Sequence, residues 1–526
     1  MPQRARNSYD EVPYKSQPYR QTHPDRLATI ATLLGMQPAR LDRCRVLELG
    51  CSSGGNLLPL AEQFPESRFV GIDGSRRQIE MGRATLDAVG LKNLELQHAD
   101  LRTAGAELGR FDYIIVHGVY SWVPAEVQEK ILAICAEHLA PQGVAYVSYN
   151  TYPGWHMRGM IRDMMLYRVR ALPEPAERIH QARWLLDFLA QSVPSEENPF
   201  GILLKQELNL LREKEDSYLF HEHLEDINEP TYFYRFVERA EAKGLQYLGE
   251  ADFGIMAPSN LPAAVEAGLQ SVSANVIEME QYMDFARNRM FRQTLLCHRG
   301  VALDRTPSPE RVQGMQVASA AKPENGEVDI HSTAQTTYRT PSAVLTTTER
   351  LVKAAMQRLG EEWPRAVPFD DLLASARARL APHAVVVESS RLANDARRLA
   401  APLLRCFTTS LVELSVHPSL FTLEISDRPL ASRLARWQAE SSSTVTNRRH
   451  ENTHLNDLQR HTLRFLDGRH DRSGLVAELA GLVQEGTLAV QKHGQPVRDA
   501  ERVRGILTDA VDATLPQLAR HALVIG

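Results

Sequence analysis

The stretch Val46-Leu47-Glu48-Leu49-Gly50-Cys51-Ser52-Ser53-Gly54-Gly55-Asn56 constrains the fold most, because it reads as a buried strand that ends in a glycine turn and opens a helix. Val46, Leu47 and Leu49 suit a central parallel strand, while Gly50 and Gly54 permit positive φ and let a ligand approach the backbone closely. A turn of this kind holds a cofactor.

The elements that follow narrow the ligand. A second short strand, Phe69-Val70-Gly71-Ile72, ends in Asp73, 25 positions beyond Glu48, near the spacing at which an acidic residue meets ribose hydroxyls in nucleotide-binding βαβ units. The third, Leu94 to His98, runs into Ala99-Asp100-Leu101 and places a carboxylate where an adenine amino group can donate to it. The fourth, Phe111 to Val116, leads into His117-Gly118-Val119-Tyr120-Ser121-Trp122, and the fifth, Gly143 to Tyr149, into Asn150-Thr151-Tyr152-Pro153-Gly154-Trp155. All five ends fall on one edge of a sheet, where open α/β sheets bind ligands.

In this order, Glu48-x-Gly50-x-x-x-Gly54, Asp73, Ala99-Asp100-Leu101 and Phe111-Asp112 resemble the class I S-adenosylmethionine-dependent methyltransferases, over about residues 20 to 160. The resemblance implies a Rossmann-like α/β domain with a mixed, mostly parallel seven-stranded sheet, and S-adenosyl-L-methionine as cofactor. It assigns Glu48 to the turn and the cofactor's amino-acid end, Gly50 and Gly54 to backbone approach, Asp73 to the ribose and Asp100 to the adenine. Cys51, Asn56, Leu101 and His117 complete the expected cofactor set. The family's usual middle glycine is replaced by Ser52, which tightens the turn without removing it. A nicotinamide site fits less well, since its pyrophosphate favours a third glycine for helix packing and Asn56 or Leu57 stands near that place.

At 526 residues the chain is too long for one core and suggests two to four domains. Apolar and charged shares of 43% and 24% are those of an ordinary globular protein, and a formal net charge of -5 argues against bulk attraction to nucleic acid. Cys44, Cys51, Cys135, Cys297 and Cys406 lie far apart with no C-x-x-C pair, so neither a disulfide framework nor a zinc ribbon is suggested, and a reducing cytoplasm fits. Met1 to Asn7 lack a secretory apolar core and no stretch is apolar for long enough to span a bilayer, so a cytoplasmic protein without membrane insertion is expected.

Before the first strand, a polar lead carries Tyr9, Tyr14 and Tyr19, and a helix from about Pro24 to Leu34 follows; this lead can fold over the cofactor. From Met157 to Leu211 the pattern turns helical, which suggests an insertion after strand five. Asp216 to Phe233, the helix from about Tyr234 to Lys243 stopped by Gly244, and Leu245 to Ala251 resemble the methyltransferase regulatory domain of some bacterial methyltransferases. Chains alike in this whole order include rickettsial-type protein lysine methyltransferases that modify outer-membrane proteins. The reading divides the chain into a lead with a cofactor-covering helix at 1–44, a methyltransferase domain with helical insertion at 45–211, a regulatory domain with a return to the sheet at 212–304, and a poorly packed connector at 305–342 rich in Pro, Ser, Thr, Gln and Gly. Two mainly helical parts close it: a winged-helix-like domain at 343–440, where helices precede the alternating Leu411 to Val416, and a helical domain at 441–526.

Methyl transfer from a sulfonium is an in-line displacement, so the protein mainly aligns nucleophile and methyl carbon and excludes water; no metal is required. Acceptor chemistry belongs beyond strands four and five. A lysine amine, with a reference pKa near ~10.4, needs desolvation, a proton exit and acceptors or π faces that orient it. Tyr120, Trp122, Tyr149, Asn150, Tyr152 and Trp155 supply such groups, although any one ring is as readily a core residue. The Tyr149 to Tyr152 run departs from the Asn/Asp-Pro-Pro-aromatic signature of many nucleic-acid amino methyltransferases. His117 can relay a proton, but a histidine after a strand is more often structural. His221-Glu222-His223 invites a metal, yet i and i+2 point apart on a helix and H-E-x-x-H spacing is absent, so Tyr218, Leu219 and Glu222 are read as a docking face.

These observations make a methyltransferase that acts on lysine side chains of a protein, the lysine being named by the resemblance, with an outer-membrane protein precursor as a candidate substrate and a homodimer as one compatible assembly. A small-molecule or nucleic-acid methyltransferase, and a cofactor-binding interaction protein without turnover, are the competing readings.

Overall fold

The computed structural model describes residues 8–14, 16–105, 108–381, 389–492, 495–497 and 499–526. The Met1 to Asn7 reading lies outside the described residues. At the centre stands a seven-stranded sheet of β1 (Arg45–Leu49), β2 (Arg68–Asp73), β3 (Leu94–His98), β4 (Phe111–Val116), β5 (Leu139–Asn150), β6 (Leu245–Glu250) and β7 (Phe291–His298), in the order β3-β2-β1-β4-β5-β7-β6. β1 pairs in parallel with β2 and β4, and only β7 runs against its neighbours β5 and β6.

Successive side chains on a strand point to opposite faces, and here both faces are covered, which is why β1 and β4 read as continuous apolar runs. Val46, Tyr113, Ile115 and Tyr146 face one core, whereas Leu47, Leu49, Ile114 and Val116 face the other. The helices are α1 (Ser8–Glu11), α2 (Pro24–Leu33), α3 (Leu57–Gln63), α4 (Arg76–Val89), α5 (Ala125–His138), α6 (Gly154–Val169), α7 (Pro175–Ser192), α8 (Pro199–Arg212), α9 (Asp216–His223), α10 (Phe233–Ala242), α11 (Ala263–Val272) and α12 (Val276–Arg287). As anticipated, α2 begins on Pro24, whose missing N–H is no loss there, but it packs Leu27, Ile30 and Ala31 into the core beside the sheet and does not cover the cofactor site.

The helical insertion has a core of its own in which Ile161, Met165 and Leu186 meet Leu219 and Phe220 of α9. The expected boundary between residues 211 and 212 therefore passes within a packed unit, while β6 and β7 make the expected return to the sheet. Fully buried Arg292 ties β6, β7 and α12 together, reaching Glu250 at 2.7 Å, Asp284 at 2.8 Å and Glu280 at 3.0 Å.

Residues 305–342 are not a loose connector. Val312, Met315, Val317, Ala321 and Tyr338 are buried in the core that begins at the sheet, and Gln316–Ala318 is the middle strand between Val367–Pro368 and Glu413–Ser415. Polar composition concealed a few apolar residues placed where a strand needs them. Beyond residue 430 a separate core gathers Val445, Leu463, Leu479, Leu507 and Leu518. Among the described residues no helix is long and apolar enough to cross a membrane.

Candidate active site

The turn after β1 is folded back on β2: the N–H groups of Gly50 and Cys51 donate to the Ile72 carbonyl at 2.8 and 3.1 Å. Gly50 takes φ +75°, and a Cβ there would stand 2.3 Å from Val119 Cγ2, so no side chain fits. Ser52 keeps the left-handed conformation that the family's glycine would supply, at φ +52°. Two bonds pin it there, from its N–H to Asp73 Oδ2 at 2.7 Å and from its hydroxyl to Gln78 Oε1 at 2.8 Å. The other Asp73 oxygen accepts from the Ser75 N–H at 2.8 Å, so this carboxylate is fixed at the end of β2.

Above the turn lies a cavity of about 900 Å³. Glu48, Cys51, Asp73, Asp100, Leu101 and His117 form its floor along the sheet edge, and Tyr9, Tyr14 and Tyr19 of the lead its roof. Trp122, Asn150, Trp155, Arg158, Tyr218 and Glu222 form the far wall. The roof is strapped down. Gly55 N–H donates to Ser16 Oγ at 2.8 Å, Ser75 Oγ to Asp10 at 2.6 Å and Gln78 Nε2 to the Tyr14 carbonyl at 3.2 Å. A Cβ on Gly55 would meet the Ser16 carbonyl carbon at 2.6 Å, which is the space the lead occupies.

Glu48 is buried with one oxygen accepting from Asn56 Nδ2 at 2.8 Å and the other, Oε2, without a partner among the described residues. Burial pushes its carboxyl up to about 8, the Asn56 bond opposes this, and the charge of Asp73 adds to it. An orphaned carboxylate oxygen, a turn where only hydrogen fits, and acids at the ends of β2 and β3 are the donor set that the amino-acid end, backbone approach, ribose and adenine of S-adenosylmethionine require. The residues fit that group. Asp100 is exposed on the floor and bound by Arg102 at 2.6 Å, and burial lowers the His117 ring to about 4, leaving a neutral imidazole between Tyr19 (4.0 Å between ring centres) and Tyr146 OH (3.0 Å).

Of the acceptor residues expected from sequence, Trp122 and Asn150 line the cavity, as does Trp155, while three tyrosines do not. Tyr149 is sequestered in the core, stacked 4.1 Å from Phe236, with its hydroxyl 3.0 Å from Thr294. Tyr120 is fully buried against the same Phe236, at 5.2 Å. Strand alternation on β5 sends the Tyr149 ring into the layer below the ligand edge, and the single helical turn Tyr120–Trp122 buries Tyr120 in the same layer. Tyr152 stacks on His156 at 4.0 Å outside the cavity. Gly54 is also displaced from its expected role: it takes φ +77° and faces Leu96 under the turn, so it shapes the turn without lining the cavity.

Sequence reasoning missed Arg158 altogether and set Tyr218 and Glu222 on a docking face; α9 instead turns them into the cavity. His221 and His223 do point apart, the first held by Glu225 at 2.6 Å and by the Val12 carbonyl at 2.7 Å, the second facing Glu207.

Residues 46–143 match a methyltransferase domain family, 215–298 a predicted methyltransferase regulatory domain, and 427–523 the PKMT C-terminal winged helix domain. The solved structure of PKMT2 from Rickettsia typhi in complex with AdoHcy is 30% identical and aligns with a TM-score of 0.87, covering 98% of this chain and 100% of that one. An uncharacterized protein of Rickettsia prowazekii is 34% identical over 527 residues, which is 99% of this chain and 94% of that protein. The chain belongs to the PKMT family. It is an S-adenosylmethionine-dependent methyltransferase, and S-adenosylmethionine is its cofactor. In this PKMT-family enzyme the winged helix falls at 427–523, not at the expected 343–440. The earlier segment has helices at Arg350–Glu362, Phe369–Leu380 and Ser389–Thr408, and its alternating run supplies only the strand Glu413–Ser415, which pairs with Gln316–Ala318.

Proposed function

We propose that this methyltransferase modifies lysine side chains of a protein substrate. The far wall of the cavity carries the reading. There Trp122 and Trp155 meet edge to face with ring centres 6.2 Å apart, beside Tyr218 and the Glu222 carboxylate. Rings and an acid together suit an alkyl amine that arrives as a cation. The full-length likeness to PKMT2 and the PKMT winged helix support the same reading.

When bound, S-adenosylmethionine supplies a methyl group activated by its sulfonium. The chain's part is alignment and desolvation. Asn150 is fixed by three bonds: its side-chain amide donates to Asn228 Oδ1 at 2.9 Å, its backbone N–H donates to Ser121 Oγ at 2.9 Å, and its carbonyl accepts from the Thr231 N–H at 3.1 Å, so it gives the wall a rigid polar point. Burial pushes the Glu222 carboxyl upward, against the pull of Arg158 at 3.6 Å, which suits a group that receives the proton a lysine ammonium must lose before its lone pair attacks. Incubation of a cell lysate with the enzyme and isotopically labelled S-adenosylmethionine, followed by mass spectrometry, is expected to find labelled methyl-lysine. Label confined to nucleic acid or to metabolites would overturn the proposal.

A further inference from the structure

The carboxylate of the cofactor turn is steadied from outside the catalytic domain. Asn56, just before α3, donates its amide to Glu48 Oε1 at 2.8 Å and to Thr22 Oγ1 at 3.0 Å. Its carbonyl oxygen accepts from the Tyr19 N–H at 3.0 Å and meets His450 Nε2 at 2.7 Å. Because a backbone N–H can only donate, Tyr19 fixes which end of Asn56 is oxygen, and His450 must then donate from Nε2.

His450 belongs to the winged helix segment, 394 positions from Asn56, and it is fully buried. Its φ of +62° is one that a residue other than glycine holds only where the surroundings impose it. The His23 ring lies edge-on at 5.2 Å, and burial, aided by that neighbour, keeps His450 neutral. At the other end of α3, Glu62 accepts from Ser432 Oγ at 2.7 Å and from the Arg433 N–H at 2.6 Å, and faces Arg448 at 3.4 Å. The helix that carries the cofactor turn is thus gripped at both ends by the C-terminal domain.

We propose that His450 is a positioning residue for the cofactor: through Asn56 it orients the Glu48 carboxylate toward the cofactor's amino-acid end, which makes the winged helix domain a determinant of cofactor affinity. The proposal rests on the assignment of Glu48 to that end. Two ligands separate the parts, S-adenosylhomocysteine, which has the amino-acid end, and 5′-methylthioadenosine, which lacks it, each titrated calorimetrically into the full chain.

Glu48→Gln is expected to weaken S-adenosylhomocysteine selectively; equal weakening of both ligands, or no change, overturns the Glu48 assignment and the proposal with it. Given that selectivity, His450→Ala should weaken S-adenosylhomocysteine about five- to tenfold, the worth of one buried hydrogen bond, and leave 5′-methylthioadenosine within about twofold. His450→Gln, which can present an amide N–H in place of Nε2, should restore the affinity. Unchanged S-adenosylhomocysteine binding in His450→Ala, or parallel weakening of both ligands, overturns the positioning role while the Glu48 assignment stands. His450→Phe keeps the ring and removes the donor, and it carries the same test if the alanine variant does not fold.

Discussion

At the scale of single residues, Asp73 does two things at once: it holds the turn through Ser52 and Ser75 and faces the cavity. Asp73→Ala should therefore weaken S-adenosylhomocysteine binding by about 1–3 kcal/mol, the worth of a charged acceptor, as titration calorimetry would read. Glu48 adds a pH dependence. A carboxyl raised to about 8 stays neutral until the pH passes that value, so cofactor affinity should climb as pH approaches 8. Near pH 7, calorimetry in buffers of different ionisation heat should find up to about one proton released per S-adenosylhomocysteine bound, and none in Glu48→Gln. The same shift makes the ligand-free fold lose stability as pH rises from 4.5 toward about 8, since across that window the folded state binds more protons than the unfolded chain. Tyr149 and Trp122, equivalent in sequence terms, now separate. Tyr149→Ala empties a core site and should cost about 3–5 kcal/mol of stability, visible in the melting temperature. Trp122→Ala should lower turnover about ten- to a hundredfold with cofactor affinity nearly intact.

At the scale of elements, β1 to β5, their shared ligand edge and α2 were legible because burial on both faces and strand-end acids leave one-dimensional signals. What was not legible depends on distant partners. The sequence of Tyr149 says "aromatic after a strand", and only Phe236 on α10 and Thr294 on β7 decide that the ring points into the core. Met315 and Val317 alternate as a strand should, yet their Pro- and Ser-rich surroundings dominated the reading until Val367 and Leu414 paired beside them. The covering role of the lead was legible in sequence, but the groups that hold it, Gly55, Ser75 and Gln78, were not. Gly55→Ala, whose Cβ would press on Ser16 backbone, should push the lead away and speed S-adenosylhomocysteine dissociation about tenfold in a stopped-flow displacement experiment.

At the scale of the molecule, one apolar core runs from β1 and α2 through residues 312–434, so the catalytic sheet and the segment after it should unfold together. The C-terminal core is separate, joined in part through Glu62. Glu62→Ala should loosen that joint, lowering the first transition in differential scanning calorimetry or splitting it in two. The strapped roof has a kinetic consequence. Asp10, Tyr14 and Ser16 are bound to Ser75, Gln78 and Gly55, so spent cofactor should leave only once those bonds open, and exchange of the nucleoside rather than bond making is expected to limit turnover. Turnover would then begin with a burst of about one methyl group per enzyme and slow in viscous solvent, and, if the proposed protein substrate stays at the Trp122 wall while the roof cycles, it would collect successive methyl groups before it lets go.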